Sequence, residues 1–415
     1  MYGQLVSAAL LTVLLGSACA GAASRSSGPA AAPPAAPAAQ SPPGVGGSGQ
    51  SAPANSGGSG GPSASTAGSV GEAAAASPAA APASAGAQAV PVPQPITVRF
   101  ANAGIAAQTP TFLGIEQGYF QELGINIDVH EITSTNDMVA LLSGDQLDVG
   151  HQAVSPALFN AAARGVGVRM VADHGGNIPG RTTPSLAVRT DILERQPWTG
   201  YQDLKGFKVG LSSLGTLSEY AFDLMLARGG LQPDDVEMVP LAFPDMAVAF
   251  SNKAIDAGMF NEPWATQLED AGVIKKVVYT DDVDPNGNVS GVEYSETFAR
   301  NTPAARNYMV AYLRGVRDYW DAYDGRRDFQ IIVDVQKKFT PLKDERLIRK
   351  VPPTGMKPDG YLNLEKMAIY QDWFIEKGLV TQKVDLSQVV DHSFLDYANS
   401  ILGPYQPVEH PQRPR

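Results

Sequence analysis

One pattern in this chain narrows its possible folds more than any other. The string Asp-Met-x4-Ser-x4-Asp-x-Gly occurs at Asp137, Met138, Ser143, Asp148 and Gly150. It recurs 108 residues later at Asp245, Met246, Ser251, Asp256 and Gly258. Each copy reads as a helix with a polar start, a turn and a short strand ending in glycine. Each is also preceded by a strand and a helix that closes on glycine. Duplication and convergent packing would leave the same trace, and both mean two similar α/β units in series. Two such units leave a cleft between them, with strand C-termini and helix N-termini pointing in, where open α/β sheets bind ligands.

Only part of the chain is able to build these units. Gly, Ala, Pro and Ser fill 62 of the 74 positions from residue 22 to 95, and Arg25 and Glu72 are the only charged residues there. No aromatic residue lies between Tyr2 and Phe100. Such a stretch buries too little apolar surface to offset its ordering entropy, so residues 20–95 are expected to be a disordered tether. As a Gly/Ser-type coil it would span roughly 50 Å. The remaining 320 residues suffice for one large two-lobed domain or two modest ones. The net charge of −11 argues against nucleic acid as a partner and against a polybasic membrane surface. The single cysteine, Cys19, excludes an intrachain disulfide and a cysteine-based zinc site.

Within 96–415, strands are expected at 96–101, 125–129, 147–150, 166–172, 208–211, 236–241 and 255–260, with helices between them. Thr133, Ser134, Thr135 and Asn136 offer caps for the helix that follows. From residue 304 the pattern turns helical, at 304–323, 327–339, 363–377 and 391–401, and the Pro-rich tail at 404–415 reads as loose. Alternating strands and helices indicate an α/β fold with mostly parallel pairing.

The N-terminus and the globular part each resemble something known. Residues 5–16 form an apolar run suited to a signal peptide and short for a membrane span, followed by Ser17, Ala18 and Cys19. This resembles a bacterial lipoprotein processing site, although Gly16 stands where leucine is usual and residues 1–4 carry no Lys or Arg. The resemblance implies a signal peptide over residues 1–19 and lipidation of Cys19. The globular part carries Pro110-Thr111-Phe112-Leu113-Gly114, Gly118-Tyr119-Phe120, Leu141-Leu142-Ser143-Gly144-Asp145, Asp203-Leu204-Lys205-Gly206 and Asn261-Glu262-Pro263-Trp264. In this order the motifs resemble the substrate-binding proteins of ABC importers, in the branch for nitrate, sulfonate, taurine and thiamine-pyrimidine precursors. The resemblance covers residues 96–283 well and the C-terminal helices loosely. It implies a two-lobed type II periplasmic-binding-protein fold, with residues 96–188 and 286–403 in lobe 1 and 189–285 in lobe 2. It further implies an extracytoplasmic, membrane-anchored monomer that takes up a small molecule by lobe closure and hands it to permease subunits.

The candidate ligand-binding residues lie at the strand ends that face the cleft. Gln108 and Thr109 open the first helix of lobe 1, where plain capping is the alternative. Gln152 and Ser155 follow the strand ending at Gly150. Their counterparts in the other repeat are Asn261, Glu262 and Trp264, with core packing as the alternative for Trp264. Ser212, Ser213 and Thr216 offer hydroxyls and helix-start N–H groups to an oxyanion, with no Lys or Arg in the loop. Residues 173–177 read as a ligand contact or a glycine hinge turn. The hydroxyl loop favours a sulfonate, nitrate or carboxylate, whereas Glu262 suits an amine or an aminopyrimidine; a zwitterion such as taurine satisfies both. No cofactor is expected, and five scattered histidines give no metal spacing. Pyrimidine-synthase relatives of the same fold carry a cysteine cluster, which residues 96–415 lack, so a binder is favoured over an enzyme; a sensor domain is the other alternative.

Overall fold

A computed structural model of the chain describes residues 89, 91–132, 137–406 and 408. The signal peptide, Cys19, most of the tether, the Thr133–Asn136 caps and residues 409–415 lie outside them.

The fold is α/β, with two lobes built on two five-stranded sheets. Strands β1 (Ile96–Asn102), β2 (Ile125–Glu131), β3 (Val149–Ala153) and β4 (Arg169–Gly176) belong to lobe 1. The chain crosses through residues 177–184 to lobe 2, which holds β5 (Ser185–Arg189), β6 (Lys208–Leu211), β7 (Glu237–Pro240), β8 (Ala257–Phe260) and β9 (Ile274–Tyr279). It returns through residues 280–287 to β10 (Asn288–Tyr294), which inserts between β3 and β4. The strand orders are β2-β1-β3-β10-β4 and β7-β6-β8-β5-β9. The three βα strands of each sheet are parallel, whereas β10 and β5 run antiparallel to both neighbours. Each antiparallel strand is thus the first one made after a crossing, which is how both lobes come to share one topology.

The repeat has a physical basis. Asp148 accepts the Arg99 backbone N–H at 2.8 Å, and Asp256 accepts that of Lys208 at 3.0 Å, so in each lobe this aspartate ties the third strand to the first. Met138 and Met246 are both fully buried. A Cβ on Gly150 would fall on the Met138 sulfur, and one on Gly258 would lie 3.1 Å from that of Met246. The glycine therefore makes room for the methionine that seals the helix onto the sheet.

The sequence pattern misses β5, β9 and β10. The residues of β5, Ser185-Leu186-Ala187-Val188-Arg189, are wholly buried, and β10 interrupts its alternation with Ser290, Gly291 and Glu293, so neither of these two shows a period of two. The 22-residue helix Thr302–Tyr323 is the spine of lobe 1. It packs Tyr308, Tyr312 and Trp320 into a core with Phe100, Phe112 and Tyr294. Gly315 allows the spine to touch the Pro110 carbonyl, a closeness that a Cβ would forbid.

Both ends of the globular part are more tied down than their composition suggests. The Val92 N–H donates to the Leu123 carbonyl. Beyond residue 403, Tyr405 donates to Asp321 at 2.8 Å, while Arg326 and Arg181 donate to the carbonyls of Gln406 and Val408. Among the described residues no helix is long and apolar enough to cross a membrane.

Candidate ligand cleft

Where the two crossing segments meet the lobes, a small recess of about 40 Å³ opens to solvent. It is lined by Asn177, Pro184, Thr280 and Asp284 of the crossings, Leu217, Ser218, Ala221 and Asn261 of lobe 2, and Val289 of lobe 1. Its position at the junction of the two lobes suits a small-molecule site. The hinge side is a closed hydrogen-bond network. Thr280 Oγ1 donates to Asn177 Oδ1 at 2.7 Å, and Asn177 Nδ2 donates to Asp284 Oδ2 at 3.2 Å. The same carboxylate accepts from Tyr370 Oη at 2.5 Å and from Lys366 Nζ at 2.7 Å. Asp284 is the one ionisable residue lining the recess, and Lys366 balances its charge.

The sequence-predicted residues separate into those already engaged and those left free. Gln108 is fully buried: its Nε2 donates to the Ala101 carbonyl at 2.7 Å, and its Oε1 accepts the Ala103 N–H at 2.9 Å. Thr109 donates to the Ala106 carbonyl at 2.6 Å and accepts from Gln336 at 3.3 Å. These two side chains shape the loop after β1. Gln152 donates to Ser155 Oγ at 3.2 Å, while its own Oε1 is buried without a partner. Ser155 sits at the N-cap of the helix Pro156–Ala163 without using its hydroxyl as a cap.

In lobe 2, Asn261 is exposed and lines the recess. Glu262 turns inward. Its carboxylate accepts the Thr266 N–H at 3.0 Å and pairs with Lys276 at 3.2 Å, leaving its side chain 3 % exposed. Burial pulls the Lys276 ammonium down, but Glu262 and Glu269 hold it above its ordinary value. Trp264 packs beside Phe260 and Phe250 in the lobe 2 core. Ser212 and Ser213 remain at the surface of the loop after β6, and Thr216 donates to the Ser213 carbonyl at 3.2 Å. Of the ten predicted residues, only Asn261 lines the recess itself. Ser218, Thr280 and Asp284 were not read from the sequence. The last two lie in a Pro/Asn/Gly-containing connection that looks like a plain loop, and the one available signal is that a two-lobed chain must cross back there.

Below the lobe 1 side of the cleft, His151 and His174 lie ring against ring, 3.9 Å between centroids. Both are buried, and burial holds His151 well below its ordinary value and His174 down at about 3. His174 Nδ1 lies 3.3 Å from Ser290 Oγ, while both nitrogens of His151 have no partner. The pair is neutral at physiological pH and stands on Phe100 and Tyr312. Among the described residues no set of three or more His, Cys, Asp or Glu side chains converges as a metal site would require.

Comparison with known proteins agrees with this architecture. The chain is 26% identical over 335 residues to the riboflavin-binding protein RibY of Chloroflexus aurantiacus, covering 77% of this chain and 91% of that one. It is 28% identical over 162 residues to the 4-amino-5-hydroxymethyl-2-methylpyrimidine phosphate synthase THI11 of Saccharomyces cerevisiae, a match to 36% of this chain and 41% of the enzyme. In fold it is similar to the periplasmic aliphatic sulphonate binding protein SsuA of Escherichia coli, at 21% identity and a TM-score of 0.59, covering 74% of this chain and all of the other. A match to the NMT1-like family runs from residue 92 to residue 333. With more than half of its length in that match, and with the paired sheets and hinge recess described above, the chain belongs to the NMT1-like family.

Proposed function

We propose that this protein is the extracytoplasmic binding component of an ABC importer. In this reading it captures a small, uncharged, flat nitrogen heterocycle of the riboflavin or aminopyrimidine kind between its lobes and presents it to permease subunits. The observation that carries the ligand class is the charge balance of the cleft. Three carboxylates at the recess or in its flanking loops are each paired with a lysine, Asp284 with Lys366, Glu262 with Lys276 and Glu219 with Lys377, the last two lysines being shared with Glu269 and Asp223. The polar side chains of the two lobes that line the recess are neutral, Asn261 and Ser218. An amide and a hydroxyl give paired donors and acceptors, which suit the ring-amide or aminopyrimidine edge of such a ligand. Leu217, Ala221, Pro184 and Val289 supply apolar surface against its ring faces.

The similarity to RibY along nearly its whole length supports the same reading, whereas the sulfonate-binding protein is similar in fold. Glu262 is already neutralised and gives no support to an amine or to the zwitterion taurine. Sulfonate and nitrate lack a cation in the cleft, since the lysines there are taken. Binding rather than turnover is favoured because the cleft groups that are free are neutral, with no activated nucleophile among them. Lipidation of Cys19 and tethering by residues 20–88 complete the proposal and predict that Cys19→Ser releases the protein from the membrane fraction.

The test is to titrate the full chain with riboflavin, an aminopyrimidine, taurine, nitrate and ethanesulfonate, following tryptophan and flavin fluorescence and melting temperature. Micromolar binding of a neutral heterocycle, weakened about tenfold or more in Asn261→Ala, is the expected outcome. Tighter binding of nitrate or a sulfonate would overturn it.

A further inference from the structure

The loop after β6 reads in sequence as an anion receptor: hydroxyls and free amides at the start of the 12-residue helix Leu217–Arg228. The structure engages that receptor from within at one amide. The Gly215 N–H donates to Glu219 Oε2 at 2.5 Å, and the other oxygen of the same carboxylate accepts from Lys377 at 2.7 Å. Lys377 belongs to lobe 1, following the helix Leu364–Glu376, so the contact bridges the lobes. It also pairs with Asp223 at 3.0 Å. Asp223 in turn accepts from Trp373 Nε1 at 3.3 Å, and its second oxygen is buried without a partner. Two carboxylates against one ammonium leave this corner with one negative charge. It lies on the same helix whose Leu217, Ser218 and Ala221 line the recess.

We infer that Glu219 is a specificity-determining residue: by occupying the lobe 2 anion receptor with its own carboxylate, it keeps anionic ligands out of the cleft. A ligand phosphate or sulfonate brought to this loop meets an amide already bonded and a like charge beside it, whereas a neutral ligand meets neither obstacle. Glu219 is held rather than free to swing aside, because Lys377 fixes it from the opposite lobe and Gly215 packs on Leu379 of lobe 1. The inference rests on the neutral-ligand reading above and extends it to what the site refuses.

The experiment compares wild type, Glu219→Gln and Lys377→Gln as full chains. Its probes are riboflavin and flavin mononucleotide, which share a ring system and differ by a phosphate monoester, and ethanesulfonate as a simple anion. Wild type is expected to prefer riboflavin over flavin mononucleotide, and Glu219→Gln to shrink that preference about tenfold, the order of one nearby unit charge. Lys377→Gln retains the carboxylate and is expected to leave the preference undiminished. An unchanged ratio in Glu219→Gln, or an equal relaxation in Lys377→Gln, overturns the assignment. If neither flavin binds any of the three proteins, the neutral-flavin reading has failed and ethanesulfonate decides this inference alone. Stabilisation of Glu219→Gln without stabilisation of wild type then supports it, and equal or absent stabilisation of both sinks it. Should Glu219→Gln not fold, the uncharged pair Glu219→Gln with Lys377→Gln takes its place, with the same outcomes.

Discussion

The phenol of Tyr370 donates to Asp284 at 2.5 Å, at the point where the chain returns from lobe 2 to lobe 1. The same carboxylate oxygen accepts from Asn177 of the other crossing segment, and Tyr220 of lobe 2 stands edge-on to the Tyr370 ring at 5.2 Å. One carboxylate therefore joins both crossings, a lobe 1 helix and, through the aromatic contact, the lobe 2 helix that lines the recess. Burial and the Asp284 charge push the Tyr370 phenol well up, which keeps it a donor at every physiological pH. Tyr370→Phe is expected to cost about 1–2 kcal/mol in urea unfolding and to weaken ligand binding without touching the ligand. Asp284→Asn should cost more, because it strands the Lys366 ammonium. If Tyr370→Phe leaves both stability and affinity intact, the network does not couple hinge and site.

The pairing of Gly150 with Met138 gives a packing prediction. A methyl on Gly150 has no space beside the methionine sulfur, so Gly150→Ala should destabilise by about 1–3 kcal/mol. The effect should shrink when Met138→Ala opens the space, which a double-mutant cycle reads directly. Additive effects of the two changes would show that the glycine answers to something else.

These two sites mark where sequence reading succeeds and where it stops. The Asp-Met-Ser-Asp-Gly repeat is legible because its methionine and glycine pack on each other within one βα unit and its second aspartate ties that unit's strand to a neighbouring one in the same way in both lobes, and such jobs leave fixed spacings. The recess is legible only in part because it is made of crossings. Asn177, Thr280 and Asp284 come within bonding distance through the return of the chain, a separation of about a hundred residues that no spacing records. The inward turn of Glu262 has the same cause: its partner Lys276 arrives on β9, a strand the alternation test does not find. Gln108 follows β1 in the loop that opens the first helix, but backbone donors and acceptors within seven residues claim its amide.

Glu293 supplies a pH prediction on the alkaline side. Its carboxyl sits on β10, an interior strand of the lobe 1 sheet, fully buried with neither oxygen partnered, and burial raises it to about 8. The folded protein thus holds a proton that the unfolded chain releases near pH 4.5, so this group lowers stability as pH rises from 4.5 to 8. The loss is on the order of 3 kcal/mol by pH 7. Glu293→Gln cannot ionise. Above pH 6.5, where the buried histidines and Asp173 no longer titrate, its unfolding free energy is expected to stay flatter up to pH 8 than that of wild type, and parallel profiles over that window would contradict the assignment.

On the acid side the buried histidine pair takes over. Unfolded histidine titrates near 6.5, whereas burial holds folded His174 at about 3 and His151 well below its ordinary value. Between those limits the unfolded chain binds protons that the native state refuses, so the pair removes stability as pH falls below 6.5. The slope is about 1.4 kcal/mol per pH unit for each ring. Asp173 opposes it, since burial raises that carboxyl to about 6 and the native state gains a proton there between pH 6 and its unfolded value near 3.8. Its side chain stays in place because Asn288 Nδ2 and the Lys357 N–H donate to it at 3.0 and 2.8 Å. Two rings against Asp173 and Glu293 nearly cancel between pH 6 and 4.5, and the net loss steepens below that as first Glu293 and then, near pH 3.8, Asp173 finish titrating. His151→Leu removes one ring and two unpartnered nitrogens. It should flatten the limb below pH 4.5 by half or more in guanidinium unfolding, while the pH 8 value moves far less. A mutant that loses stability equally at all pH values would mean that the ring is held by packing alone and that its protonation plays no part in acid unfolding.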